Sequence, residues 1–171
     1  MISDIVVTTF LRRGFRPFAM QRKNGLEAGT AYIVKEERPR ESYRAFTRLL
    51  RQKNGLVITR IHPRRVKKRF GISSEILWLS TVEGKNTIEP TQLSKLAFII
   101  NHFVRENKGA AVLLDGLEYL ILQNDFDTVL KFVYSIADYI SLHNAILLLP
   151  LSPKILSKSQ MKMLERELEP Y

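Results

Sequence analysis

The side chains best placed to do chemistry in this sequence are Asp115 and Glu118, separated by Gly116 and Leu117 at the end of the apolar run Ala110–Leu114. A continuous apolar run closed by turn chemistry suits a strand buried on both faces, as in a parallel sheet. An acid at the carboxyl end of such a strand stands on the rim where open α/β sheets hold their ligands. Nucleotide hydrolases keep a magnesium-binding Asp at such a position, so phosphate chemistry is the first to test. It needs a second part, a G-x-x-x-x-G-K-S/T loop whose backbone N–H groups wrap the phosphates. The connection after the first expected strand is Lys35–Ser42, KEERPRES, without a glycine. Pro39 has no N–H, Glu36 and Glu37 repel phosphate, and bulky side chains fill the space a phosphate loop keeps open. A conventional P-loop is absent.

Other chemistry is weaker still. If the first and fourth strands are neighbours, Asp115, Glu118 and the Glu36/Glu37 pair converge, and such carboxylates hold a divalent cation in phosphodiester chemistry. The plainer reading has Asp115 capping the turn before Tyr119 and the glutamates pairing with nearby Arg. His62, His102 and His143 fall on separate elements without metal spacing, and the chain has no Cys. No nucleophile elbow or Ser/His/Asp order occurs. The expectation is therefore no catalytic residue, no metal site and no cofactor.

The charge is more telling. Of a net +10, residues 35–70 carry thirteen Lys and Arg against three acids, whereas residues 71–171 carry nine against twelve. Such asymmetry points to an acidic partner, nucleic acid or an acidic protein surface. Candidate nucleic-acid contacts are Arg12, Arg13 and Arg16 in an Arg/Phe-rich amino-terminal stretch, and Arg60, Arg64, Arg65, Lys67 and Lys68 around a short basic helix. The plainer alternative is a solvated helical face, with Phe15 and Phe18 docking the arm on the body.

The elements that position these residues alternate. Strands are expected at Thr30–Val34, Leu56–Thr59, Ile76–Leu79, Ala110–Leu114 and Ala145–Leu149. Between and after them, helices are expected at Glu41–Lys53, after Pro63 up to Gly71, Thr91–Asn107, Phe126–Leu142 and from Ser152-Pro153 to Leu168, with a helical turn at Glu118–Leu122. Alternation of this kind means a parallel sheet with right-handed crossovers, an α/β three-layer sandwich. Residues 1–28 read as a basic arm and 29–171 as the body. No apolar run reaches the ~20 residues of a membrane span. The amino terminus lacks a signal-peptide pattern, so the expected address is cytoplasmic. The absence of Cys and the wealth of Lys, Arg and Glu lean toward a thermophile.

The segments TAYIVKEERPRESY, GLVITRIHPRRVKKRFG, ILWLS and AAVLLDGLEYLILQNDFDTVLKFVYSIADYISLHNAILLLPLSPKIL resemble an archaeal family, the domain of unknown function 835, over roughly Gly29 to Glu169. That family is similar to RecA/KaiC-type ATPase cores, with VLLDGLE as the Walker B strand. The resemblance implies a mainly parallel five-stranded sheet in the order fifth–first–fourth–third–second. It also implies a degenerate ATP site whose vestigial rim is Asp115, Gly116, Glu118, Lys35 and Glu36, and it names no reaction. The expected function is a non-enzymatic regulatory domain that contacts a protein partner or itself. Nucleic-acid binding is the first alternative and a metal-dependent enzyme at Asp115/Glu118 the second.

Overall fold

The computed structural model describes residues 25–171. Most of the expected arm, with Arg12, Arg13 and Arg16, lies outside the described residues. The elements run β1 (Thr30–Lys35), α1 (Glu41–Leu49), β2 (Gly55–Thr59), α2 (Pro63–Phe70), β3 (Glu75–Leu79), β4 (Thr87–Ile88) and α3 (Leu93–Glu106). They continue through β5 (Ala111–Asp115), α4 (Leu117–Gln123), α5 (Phe126–Leu142), β6 (Ile146–Leu151), α6 (Lys158–Leu164) and β7 (Glu169–Pro170).

The sheet is parallel throughout and seven-stranded, in the order β4-β3-β2-β5-β6-β1-β7. Two features depart from expectation. The sheet gains β4 and β7 at its edges, each only two residues long and too short to leave a periodic trace in the sequence. The five expected strands lie third–second–fourth–fifth–first, which is not the RecA-like order. β6 separates β1 from β5. Every residue of β6 is buried, so it needs a neighbour on each side, whereas β1 ends in exposed Lys35 and borders the two-residue β7.

The helices form two layers. Tyr43, Ala45 and Phe46 of α1 and Val66 of α2 pack on one face of the sheet, against Val34, Val57, Leu113 and Leu148. The other face carries α3, α4, α5 and α6, through residues such as Ile100, Leu117, Val133 and Leu164. The core is thus divided by the sheet into two apolar layers, as a three-layer α/β sandwich requires.

Local chemistry sets the ends of the helices. α2 starts at Pro63, whose missing N–H costs nothing there, and His62 Nδ1 accepts from Arg64 N–H at 3.2 Å. Gly71 ends it in the left-handed region, φ 66°. The last helix is shorter than expected: Ser152-Pro153 lies in a turn, and α6 begins only after Ser157, whose side chain and that of Gln160 form a capping box.

Candidate functional site at the carboxyl rim of the sheet

β2 leads outward to β3, and the chain then returns to the far side of β2 as β5. The order therefore reverses between β2 and β5, the position at which open α/β sheets form a ligand crevice. The two strands stay paired to their ends, Thr59 beside Asp115. β5 and β6 pair only as far as Leu113 and Leu148. Beyond that point they part around a cavity of about 270 Å³, whose lining includes Glu36, Glu37, Arg60, Asp115, Glu118 and Tyr119. The carboxylates expected to converge do share this space, although β1 and β5 are not adjacent.

Asp115 faces inward as well as toward the cavity. Its Oδ2 accepts from the Tyr43 hydroxyl at 2.7 Å and from Thr59 Oγ1 at 3.2 Å. Thr59 Oγ1 in turn accepts from Ile61 N–H at 3.0 Å. Burial raises the Asp115 carboxyl above its ordinary range, the two hydroxyl donors oppose that rise, and the charges of Glu36 and Glu118 add to it. Burial, and then the Asp115 charge, push the Tyr43 hydroxyl upward too. It is a fixed donor, held by the stacking of its ring on Phe70 at 3.8 Å. Asp115 therefore does not cap the turn before Tyr119. The N-cap of α4 is Gly116, with no side-chain bond to the helix. A Cβ on Gly116 would lie 2.6 Å from Leu79 Cδ1, so a glycine lets the turn pass over β3's end.

The loop before α1 is closed by its own acid. Glu36 Oε2 accepts from the N–H groups of Arg40 and Glu41 at 2.8 and 2.9 Å, and Oε1 from Ser42 N–H at 3.2 Å and from the Ser42 hydroxyl. No side chain within α1's own N-cap position does this work. A helix N-terminus after the first strand is where an α/β phosphate site puts its anion. Here a carboxylate of the chain occupies it.

The other rim residues are also engaged. Glu118 Oε1 accepts from Ser152 N–H at 2.9 Å. Glu37 pairs with Lys154, and Lys35 turns away to pair with Glu165. Arg60 donates to Leu79 O at 3.2 Å and lies over the Tyr119 ring at 4.7 Å, so it belongs to the rim and not to the basic helix. Neither glutamate of the loop pairs with a local Arg. Among the described residues, no group of three or more His, Asp or Glu is placed to hold a metal ion. The three histidines lie apart: His62 caps α2, His102 is on α3 and His143 follows α5.

Tyr43 and Thr59 are the site residues that sequence reasoning did not single out. Tyr43 reads as one more apolar position of an amphipathic helix. Thr59 is the polar last residue of GLVIT, and a hydroxyl closing an aliphatic strand is the only signal available for it.

Of the other expected contacts, Arg64, Arg65, Lys67 and Lys68 are exposed on α2, with Arg69 beside them. Arg44 and Arg48 are exposed on the adjoining α1. Among the described residues, only Arg44 of these seven has an acidic partner, Glu41 at 2.5 Å. No curated protein matches the chain. The model of a family described as Protein of unknown function (DUF835) matches residues 35–168, which take in the Glu36 loop, the basic helices and Asp115, and the chain belongs to that family.

Proposed function

We propose that the domain is a non-catalytic regulatory module that docks a polyanion, the phosphate backbone of a nucleic acid, on the outer face of α1 and α2. The observation that carries this reading is the cation layer on one side of the sheet. Arg44, Arg48, Arg64, Arg65, Lys67, Lys68 and Arg69 are exposed there, and among the described residues Glu41 is the one acid paired with them. Arg48 is steadied by the Tyr171 hydroxyl, to which it donates at 3.0 Å. Unpaired cations on one face concentrate phosphate and release its counterions, a sequence-independent source of affinity. The closed rim supports the non-catalytic half of the reading, because Glu36 already holds the N–H groups that a nucleotide phosphate would need.

The test is fluorescence anisotropy of a labelled oligonucleotide with the full chain as salt is raised. Binding at about 50 mM salt that weakens steeply by about 200 mM is the expected result. Replacing Arg64 and Lys68 by Gln lowers the slope of log affinity against log salt by about 2, one for each lost phosphate contact. No binding at low salt refutes the proposal. Binding of a polyglutamate peptide, and none of nucleic acid, assigns the face to an acidic protein instead.

A further inference from the structure

The opposite, amino-terminal end of the sheet carries a larger cavity of about 680 Å³, a size that holds small ligands. It opens between the turn after α1, the start of β3 and one side of α3. Phe98 stands at its edge 69% exposed, its ring stacked on His102 with centroids 6.2 Å apart and planes 7° from parallel. A large ring left in water beside a cavity offers a stacking surface. Arg105 Nη2 lies 3.1 Å from His102 Nδ1. The cavity also presents polar edges. Asn54 Nδ2 donates to Asn107 Oδ1 at 2.7 Å, which leaves the Asn54 carbonyl as an acceptor. Ser74 lines the same space, and its hydroxyl is buried with no hydrogen-bond partner. An unpaired buried hydroxyl is costly.

A second hollow of about 430 Å³ shares Leu50, Lys53, Asn54 and Asn107 with the first, and adds Arg51 and Lys108. The two hollows adjoin along these four residues and are taken together as one groove. Lys53 Nζ donates to Gly109 O at 2.9 Å, which fixes the ammonium in its wall. Arg51 and Lys108 are exposed. The acids of the groove, Glu75 and Glu106, line only the aromatic end, and Glu106 is held by Arg105 Nε at 3.2 Å. The groove therefore joins an aromatic platform to a cluster of three cations.

We infer that this groove binds a nucleoside phosphate, with the base against Phe98 and His102 and the phosphate on Arg51, Lys53 and Lys108. The ligand is either a free nucleotide or an unstacked nucleotide of a single strand, which present the same chemistry. The inference stands apart from polyanion docking on α1 and α2, because a mononucleotide is too short to engage that face by counterion release.

Isothermal titration of the full chain at low salt tests it, with adenosine 5′-monophosphate, adenosine and inorganic phosphate as probes. The expected result is that the monophosphate binds at least about tenfold more tightly than either part alone, and that Phe98→Ala weakens it about tenfold, the worth of one stacked base. Lys108→Glu weakens the monophosphate and leaves adenosine unchanged. Both side chains are exposed, so the fold survives either change. A single-stranded oligonucleotide identifies the source. Weakening by Phe98→Ala assigns the groove to a nucleotide of a strand, and unchanged oligonucleotide binding alongside weakened monophosphate binding assigns it to the free nucleotide. A monophosphate that binds no better than inorganic phosphate, or equally well after Phe98→Ala, overturns the inference, whatever the oligonucleotide does on α1 and α2.

Discussion

Replacing Tyr43 by Phe removes a single hydroxyl and leaves the ring on Phe70. The change removes the 2.7 Å bond to Asp115 Oδ2 together with a longer, weaker one of 3.3 Å to Thr59 Oγ1. A hydrogen bond to a charged group contributes about 1.5–3 kcal/mol, and one between neutral groups about 1 kcal/mol. Thr59 still donates to the same oxygen, so the expected loss is about 2 kcal/mol with Asp115 ionised and about 1 kcal/mol with it protonated. In a chain of this size the larger figure lowers Tm by about 4–8 °C.

The direction with pH follows from burial. The folded Asp115 carboxyl is raised above its ordinary 3.8, so the folded state keeps a proton that the unfolded chain has released. The stability this provides is complete below the ordinary value and is lost as pH rises through the raised one. Tyr43→Phe removes a donor that favours the ionised form and raises the carboxyl further. Its extra cost therefore appears on the alkaline side. Urea unfolding at acid and neutral pH measures it, and the Asp115→Asn background supplies the uncharged reference, in which Tyr43→Phe costs only about 1 kcal/mol. A loss that is equal at both pH values, or greater in acid, refutes the account of Asp115 as a buried carboxyl held by a phenol.

Two further substitutions probe the ground on which the site rests. Glu36→Ala leaves the first N–H groups of α1 without their acceptor and is expected to cost about 1–2 kcal/mol in urea unfolding, while Glu36→Gln keeps one oxygen and costs about half as much. Gly55→Ala places a Cβ 2.2 Å from Leu50 Cδ2 and 2.8 Å from Phe46 Cζ, so the start of β2 pushes α1 away. Overpacking of this kind costs about 1–3 kcal/mol, read as a lowered midpoint in the same assay.

What the sequence disclosed follows the range over which its signals act. Phe126–Leu142 is found with the expected bounds, because Asp125 caps it through Thr128 N–H at 2.8 Å and seventeen residues repeat one apolar stripe. Asp115 stood out because an acid after five small or apolar residues is conspicuous at any order of strands. That order was not legible. TAYIVK and ILLLPL are both runs a parallel sheet can bury, and their patterns do not say which lies between two neighbours. The partners of Asp115 were hidden for the same reason, since Tyr43 and Thr59 are 72 and 56 residues away along the chain. The charge asymmetry was legible as a sum. Only the placement of α1 and α2 on one face turned it into a surface.

The rim and the basic face differ in how their charged groups are engaged. At the rim the N-terminus of α1 and the carboxylates are engaged from within. Glu36 holds the helix N–H groups, Tyr43 and Thr59 hold Asp115, and the Ser152 N–H holds Glu118. An anion entering there must displace a carboxylate bonded to three backbone donors and approach Glu37, Asp115 and Glu118 as well, at a cost that one guanidinium, stacked on Tyr119, does not offset. The same helix resolves the matter a turn later. From the N-terminus that Glu36 closes, α1 runs on to Arg44 and Arg48, which with α2 face water almost without acids. Four acids, Glu36, Glu37, Asp115 and Glu118, thus line the crevice with one cation, Arg60, while the exposed faces of α1 and α2 carry mostly cations. If the proposed docking holds, a polyanion is met on the outer face of α1 and α2 and not at the rim.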